Sequence, residues 1–79
     1  MTLDKHKLDG IPQIISKTLP KEDFETLVGK ADYQLSGSAP AKGNRLKVWW
    51  NHTSYRRIEA VYSPDGQIVI TAYHVWIPG

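Results

Sequence analysis

Residues 55–74 read YRRIEAVY, then SPDG, then QIVITAYH, and this pattern specifies a β-hairpin. In the turn, Pro64 presets φ, Asp65 favours a tight bend and Gly66 accepts a positive φ. A three-residue loop with glycine in the left-handed position closes a hairpin through a bulge. The expected register sets Ser63 opposite Gln67. Ile58 then faces Ala72, Ala60 faces Ile70 and Tyr62 faces Ile68, all on one apolar side. The other side carries Arg57 opposite Tyr73, Glu59 opposite Thr71 and Val61 opposite Val69. An arginine, a carboxylate, a hydroxyl and a phenol on one sheet face suit phosphodiester chemistry. They also suit an ordinary solvated sheet face.

The rest of the chain supplies layers for this hairpin. Residues 8–17 read as a short helix, with Asp9 as cap, Pro12 in the first turn and an apolar stripe of Ile11, Ile14 and Ile15. A second helix is expected over 20–28. Thr18 is its candidate cap, Glu22, Asp23 and Glu25 lie near its positive end, and Gly29 is its stop. Its buried face is Phe24, Leu27 and Val28. Residues 30–36 alternate as a strand with Ala31, Tyr33 and Leu35 on one side, 36–44 form a flexible loop, and 45–51 form another strand. In that strand Leu46, Val48 and Trp50 oppose Arg45, Lys47, Trp49 and Asn51. Trp76 is expected to be packed. The predicted fold is therefore α+β: two N-terminal helices packed on a four-stranded antiparallel β-meander, in a single small domain over 1–79.

Composition narrows the function classes. The 79 residues contain no cysteine, so disulfides and thiolate metal sites are excluded. The three histidines, His6, His52 and His74, lack metal-ligand spacing, and no cofactor is expected. There is no membrane-length apolar run, and the first ten residues lack the apolar core of a signal peptide. The expectation is a soluble, cytoplasmic chain with no membrane partner, or a domain cut from a longer protein. The net charge is +2. From residue 41 onward Lys42, Arg45, Lys47, Arg56 and Arg57 meet only Glu59 and Asp65, a balance that suits an anionic partner such as RNA.

The hairpin face supplies candidates for RNA cleavage. A base takes the 2′-OH proton, cations stabilise the phosphorane, and an acid protonates the leaving 5′-oxygen. Glu59 is the candidate base and Arg57 its neighbouring cation. His74 is the candidate acid, with His52 in the loop at the same sheet end as an alternative. Lys47, Arg56, Thr71 and Tyr73 are candidate phosphate contacts, and Trp49 is a candidate base-stacking platform. His74 falls opposite Arg56 on the helix-covered side in this register, which argues against the acid role.

The stretch RRIEAVYSPDGQIVITAYH resembles the end of the barnase–EndoU–colicin–RelE group of ribonucleases. In that group an arginine strand, a turn and a strand ending in adjacent Tyr and His recur. The resemblance covers about the last half of the chain and rests on order and residue type. It implies Glu59 as general base, Arg56 or Arg57 as phosphate clamp, His74 as general acid and Tyr73 as a phosphate-binding phenol. A RelE-type variant would instead rely on Lys47, Arg57 and Tyr73. The glutamate follows the arginines here, unlike barnase. The resemblance also implies a toxin held by an acidic antitoxin or immunity protein. Two rivals remain at this point: a non-catalytic module binding RNA or protein through the same face, and a small antitoxin, immunity or inhibitor protein.

Overall fold

A computed structural model describes residues 2–76. Strand β1 (Leu19–Pro20) leads into helix α1 (Lys21–Lys30), followed by β2 (Gln34–Pro40), β3 (Leu46–Asn51), β4 (Arg57–Tyr62) and β5 (Ile68–Val75). The strands form one antiparallel sheet in the order β1-β5-β4-β3-β2. Helix α1 thus carries the chain from one sheet edge to the other, and the meander returns it strand by strand. Among the described residues no helix is long and apolar enough to cross a membrane.

The expected two helices on a four-stranded meander are corrected, among the described residues, to one α-helix and five strands. Residues 8–17 are not helical. Gly10 has φ of +75°, and only one turn-like bond, Ile11 N–H to the Leu8 carbonyl at 3.2 Å, forms there. The left-handed Gly10 cannot continue a right-handed helix, and so short a segment has little helical stability of its own. The apolar residues are buried nonetheless: Leu8, Ile11 and Ile14 join the core, while Ile15 points to solvent. Leu19-Pro20, which reads as an interruption, pairs with Val69 and Ile68 as the edge strand. A proline is tolerated there because one side of an edge strand needs no donor.

Helix α1 ends differently from the expectation too. Gly29 lies inside it, and Asp32 takes the left-handed conformation at φ +68°. Tyr33 N–H reaches the Val28 carbonyl at 3.0 Å and Asp32 N–H the Gly29 carbonyl at 3.1 Å, the two bonds of a Schellman cap. At the start Pro20, not Thr18, is the N-cap residue, without a side-chain bond. The first helical N–H, from Lys21, instead donates to the Gln67 carbonyl at 2.8 Å, which satisfies one otherwise unpaired donor.

Strand β2 begins later than expected and runs through most of the segment read as a loop, with a bulge between Leu35 and Gly37. Beyond the bulge the pairing continues from Gly37 opposite Trp49 to Pro40 opposite Leu46. Leu35 and Leu46 lie on the inner side of the sheet but are exposed toward its β2 edge, and Trp76 is 87% exposed, contrary to the expected packing.

The hairpin register is shifted by two residues. Ile58 pairs with His74, Glu59 with Tyr73, Ala60 with Ala72 and Val61 with Thr71, and a bulge then sets Tyr62 opposite Val69. Ser63 N–H donates to the Ile68 carbonyl at 2.8 Å and Ile68 N–H to Ser63 Oγ at 3.1 Å, closing a longer loop. A two-residue shift preserves which side each residue faces, so Ile58, Ala60, Tyr62 and Ala72 stay in the core as expected. The bulge turns Val69 inward, fully buried, and leaves Ile68 42% exposed.

The core lies between the inner sheet face and a cover made by α1 and residues 3–14. Phe24 and Val28, one helical turn apart, are fully buried, and Phe24 meets Trp50 edge-on at 6.4 Å. The Tyr62 hydroxyl donates to Glu25 Oε2 at 3.1 Å, tying helix to sheet. Gly10 fixes the path of the N-terminal segment, because a Cβ there would fall 2.4 Å from Cε2 of Tyr55. Gly10→Ala should therefore incur about 1–2 kcal/mol for the left-handed φ, plus a smaller cost for pushing the exposed Tyr55 ring off His52 and Tyr33. Gly66, at φ +72° in open space, should incur only the first. Urea unfolding of the two alanine variants checks the difference.

Candidate functional site

The register brings one row of side chains together across the outer sheet face. Gly37, Trp49, Glu59 and Tyr73 are successive partners on β2, β3, β4 and β5. Glu59 lies at the centre. Its Oε1 accepts from the Trp49 indole at 2.9 Å, and its Oε2 accepts from the Tyr73 hydroxyl. Partial burial pushes the Glu59 carboxyl up, but the Tyr73 and Trp49 bonds, with the charges of Lys47 and Arg57, outweigh it and hold the group below its ordinary value. The same bond, with burial, pushes the Tyr73 phenol up to about 12. At neutral pH the pair is an ionised carboxylate gripped by a protonated phenol.

The guanidinium of Arg57 sits 5.1 Å from the Trp49 ring centroid, in cation–π range, and its Nη2 reaches Ser36 Oγ at 3.3 Å. A ligand approaching the expected stacking platform therefore meets Arg57 over the indole. Lys47 is half-buried on the same face, opposite Val61. Thr71 follows in the Lys47–Val61 row but is only 9% exposed, with its hydroxyl sealed from solvent, so its hydroxyl is out of a ligand's reach.

A second constellation forms at the sheet end where β5 stops. Asp9, read from sequence as a helix cap, ties the N-terminal segment to the sheet. Its carboxylate accepts from Arg56 Nε at 3.0 Å and Nη2 at 3.3 Å, and its backbone N–H donates to His74 Nε2 at 2.9 Å. The Tyr33 hydroxyl donates to the Asp9 carbonyl at 3.0 Å. Burial, with the charge of Asp9 beside it, pushes that phenol up to about 12.

His74 faces the covered side of the sheet, as expected, though opposite Ile58 rather than Arg56. With Nε2 accepting, Nδ1 carries the proton toward the Arg57 carbonyl at 3.3 Å. Both ring nitrogens are thus committed to the backbone. His52 is held in its loop, where Nδ1 accepts the N–H groups of Ser54 and Tyr55 at 2.9 and 3.2 Å and the ring packs on Tyr33 and Tyr55. The link between the two histidines runs through Tyr33 and Asp9.

The sequence reading missed His6, whose ring meets Tyr73 edge-on at 6.0 Å. No local periodicity signals that contact. Among the described residues no three metal-ligating side chains gather in one place.

The carboxylates make acid stability predictable. The Arg56 bond lowers the Asp9 pKa, and the balance described above lowers that of Glu59. A depressed folded-state value adds stability that is complete above the unfolded value of about 4 and is lost as pH falls through the folded one. Stability should hold at neutral pH and fall below about pH 4. Asp9→Asn should make that acid limb shallower in denaturation midpoints measured from pH 7 to pH 2.

Comparison with known protein families, with curated proteins and with solved structures finds no match to this chain.

Proposed function

We propose that the outer sheet face is the active site of an endoribonuclease that cleaves single-stranded RNA or tRNA by 2′-OH transesterification without a metal. The observation that carries this reading is the Glu59–Tyr73 hydrogen bond set between Lys47 and Arg57. Glu59 accepts the 2′-OH proton, and the freed oxygen attacks phosphorus. Arg57 and Lys47 offset the charge that builds on the phosphorane oxygens. Tyr73 gives its proton to the departing 5′-oxygen and regains one from Glu59 through their shared bond. The bond from phosphorus to O5′ breaks as that to O2′ forms, and one proton has moved from O2′ to O5′.

This assignment follows the Lys–Arg–Tyr variant of the resemblance more closely than the Glu–His one. His74, anchored at both nitrogens, serves to hold the N-terminal segment. The site of action would be the cytoplasm, and an acidic antitoxin or immunity protein covering the basic face would be the natural restraint on such an enzyme.

One observation favours a second reading, a non-catalytic module that binds through the same face: each Glu59 oxygen already has a donor. A carboxylate offers about four lone-pair sites, so two donors still leave room for a 2′-OH. Incubating the purified chain with total RNA in excess chelator separates the readings. Discrete fragments support the enzyme, whereas binding without cleavage supports the module.

A further inference from the structure

Tyr73 borders a second feature besides Glu59. A shallow cleft at the end of β5 is lined by His6, Lys7, Arg56, Tyr73, His74 and Val75. Its two strong cations come from different parts of the chain, Lys7 from the N-terminal segment and Arg56 from the approach to β4. Lys7 is exposed. Arg56 uses Nε and Nη2 on Asp9, which leaves the Nη1 protons to another acceptor.

His6 adds an independent sign of a ligand. Its Nε2 is sealed from solvent and has no hydrogen-bond partner among the described residues. Buried polar atoms are almost always partnered, and an orphan calls for an explanation. The ring lies in the cleft wall, edge-on to Tyr73. A small shift of the N-terminal segment on binding would offer that nitrogen to an anion.

We infer that this cleft is a second phosphate subsite, which holds a backbone phosphate of single-stranded RNA next to the one cleaved at Glu59. Lys7 and Arg56 supply the charge and His6 a directed contact. The inference rests on the reading of the outer face as an RNA-cleaving site. Tyr73 joins the two sites, with its hydroxyl on Glu59 and its ring against His6. A strand lying across the outer face would then turn over the end of β5 into the cleft, where the N-terminal segment grips it.

The test uses the full chain carrying Glu59→Gln, which binds without cleaving, and a labelled single-stranded RNA oligonucleotide. Affinity is measured from about 50 to 200 mM salt, where the slope of log K against log salt counts phosphate contacts. Adding Lys7→Gln should weaken binding and reduce the slope by about 0.7, the increment for one single-strand phosphate. Lys21→Gln removes the same charge at the start of α1, where its N–H meets Gln67 ahead of β5 at the opposite end of the sheet, and should leave the slope unchanged. If the two variants behave alike, the subsite is overturned while the RNA reading stands. If the Glu59→Gln protein shows no salt-dependent RNA binding, both readings fall together.

Discussion

Replacing Glu59 by glutamine should reduce RNA cleavage by about 10²- to 10⁴-fold, the range for loss of a positioned general base. Glutamine keeps the size of the side chain but cannot take the 2′-OH proton. Its amide can meet both neighbours, Oε1 accepting from the Trp49 indole and Nε2 donating to the Tyr73 oxygen. Exchanging two charge-assisted bonds for neutral ones costs about 1 kcal/mol each, so activity must be compared at a temperature where circular dichroism shows both proteins folded. RNA affinity should be kept, because Arg57 and Lys47 are untouched. Tyr73→Phe should slow cleavage comparably, since it removes the proton donor to O5′. A Glu59→Gln protein that cleaves at the wild-type rate would remove the carboxylate from the mechanism.

Truncating Phe24 to alanine should have the largest effect on stability, about 3–5 kcal/mol. Helix α1 spans only Lys21–Lys30, and a helix of that length is marginal in water without tertiary packing. Phe24 supplies much of that packing, being fully buried with its ring edge-on to Trp50. Native domains are stable by only about 5–15 kcal/mol, so the variant should be largely unfolded in dilute urea. Leu27→Ala, at a partly buried position beside the core, should lose distinctly less. A Phe24→Ala midpoint near that of the wild type would mean that α1 does not hold the sheet face.

The outer face was legible in the sequence because strand alternation has a period of two. The hairpin register proved to be shifted by two residues, and such a shift leaves every side chain on its side of the sheet. Arg57, Glu59 and Tyr73 therefore share a face in both registers, but only the observed one sets Glu59 opposite Tyr73. The bulge at Tyr62 was not legible, because the apolar residues Ile68, Val69 and Ile70 fit either phase. Ile11, Ile14 and Ile15 mimic a helical stripe, yet two of them are buried from an irregular segment and the third is exposed. Spacing over so short a run reports burial without fixing backbone shape. Asp9 shows the limit most clearly. Its partners Arg56 and His74 are 47 and 65 residues away, beyond the reach of any local pattern, so the sequence set Arg56, His74 and His52 at one sheet end but not Asp9 among them.

The most direct test of the account is the chemistry of the RNA ends. Total RNA treated with the purified chain in excess chelator should yield fragments ending in 2′,3′-cyclic phosphate, since transesterification by the 2′-oxygen must leave that group. Glu59→Gln protein should leave the RNA intact. Fragments ending instead in 3′-hydroxyl groups, or RNA left whole by folded wild-type protein, would contradict the role given to Glu59 and Tyr73.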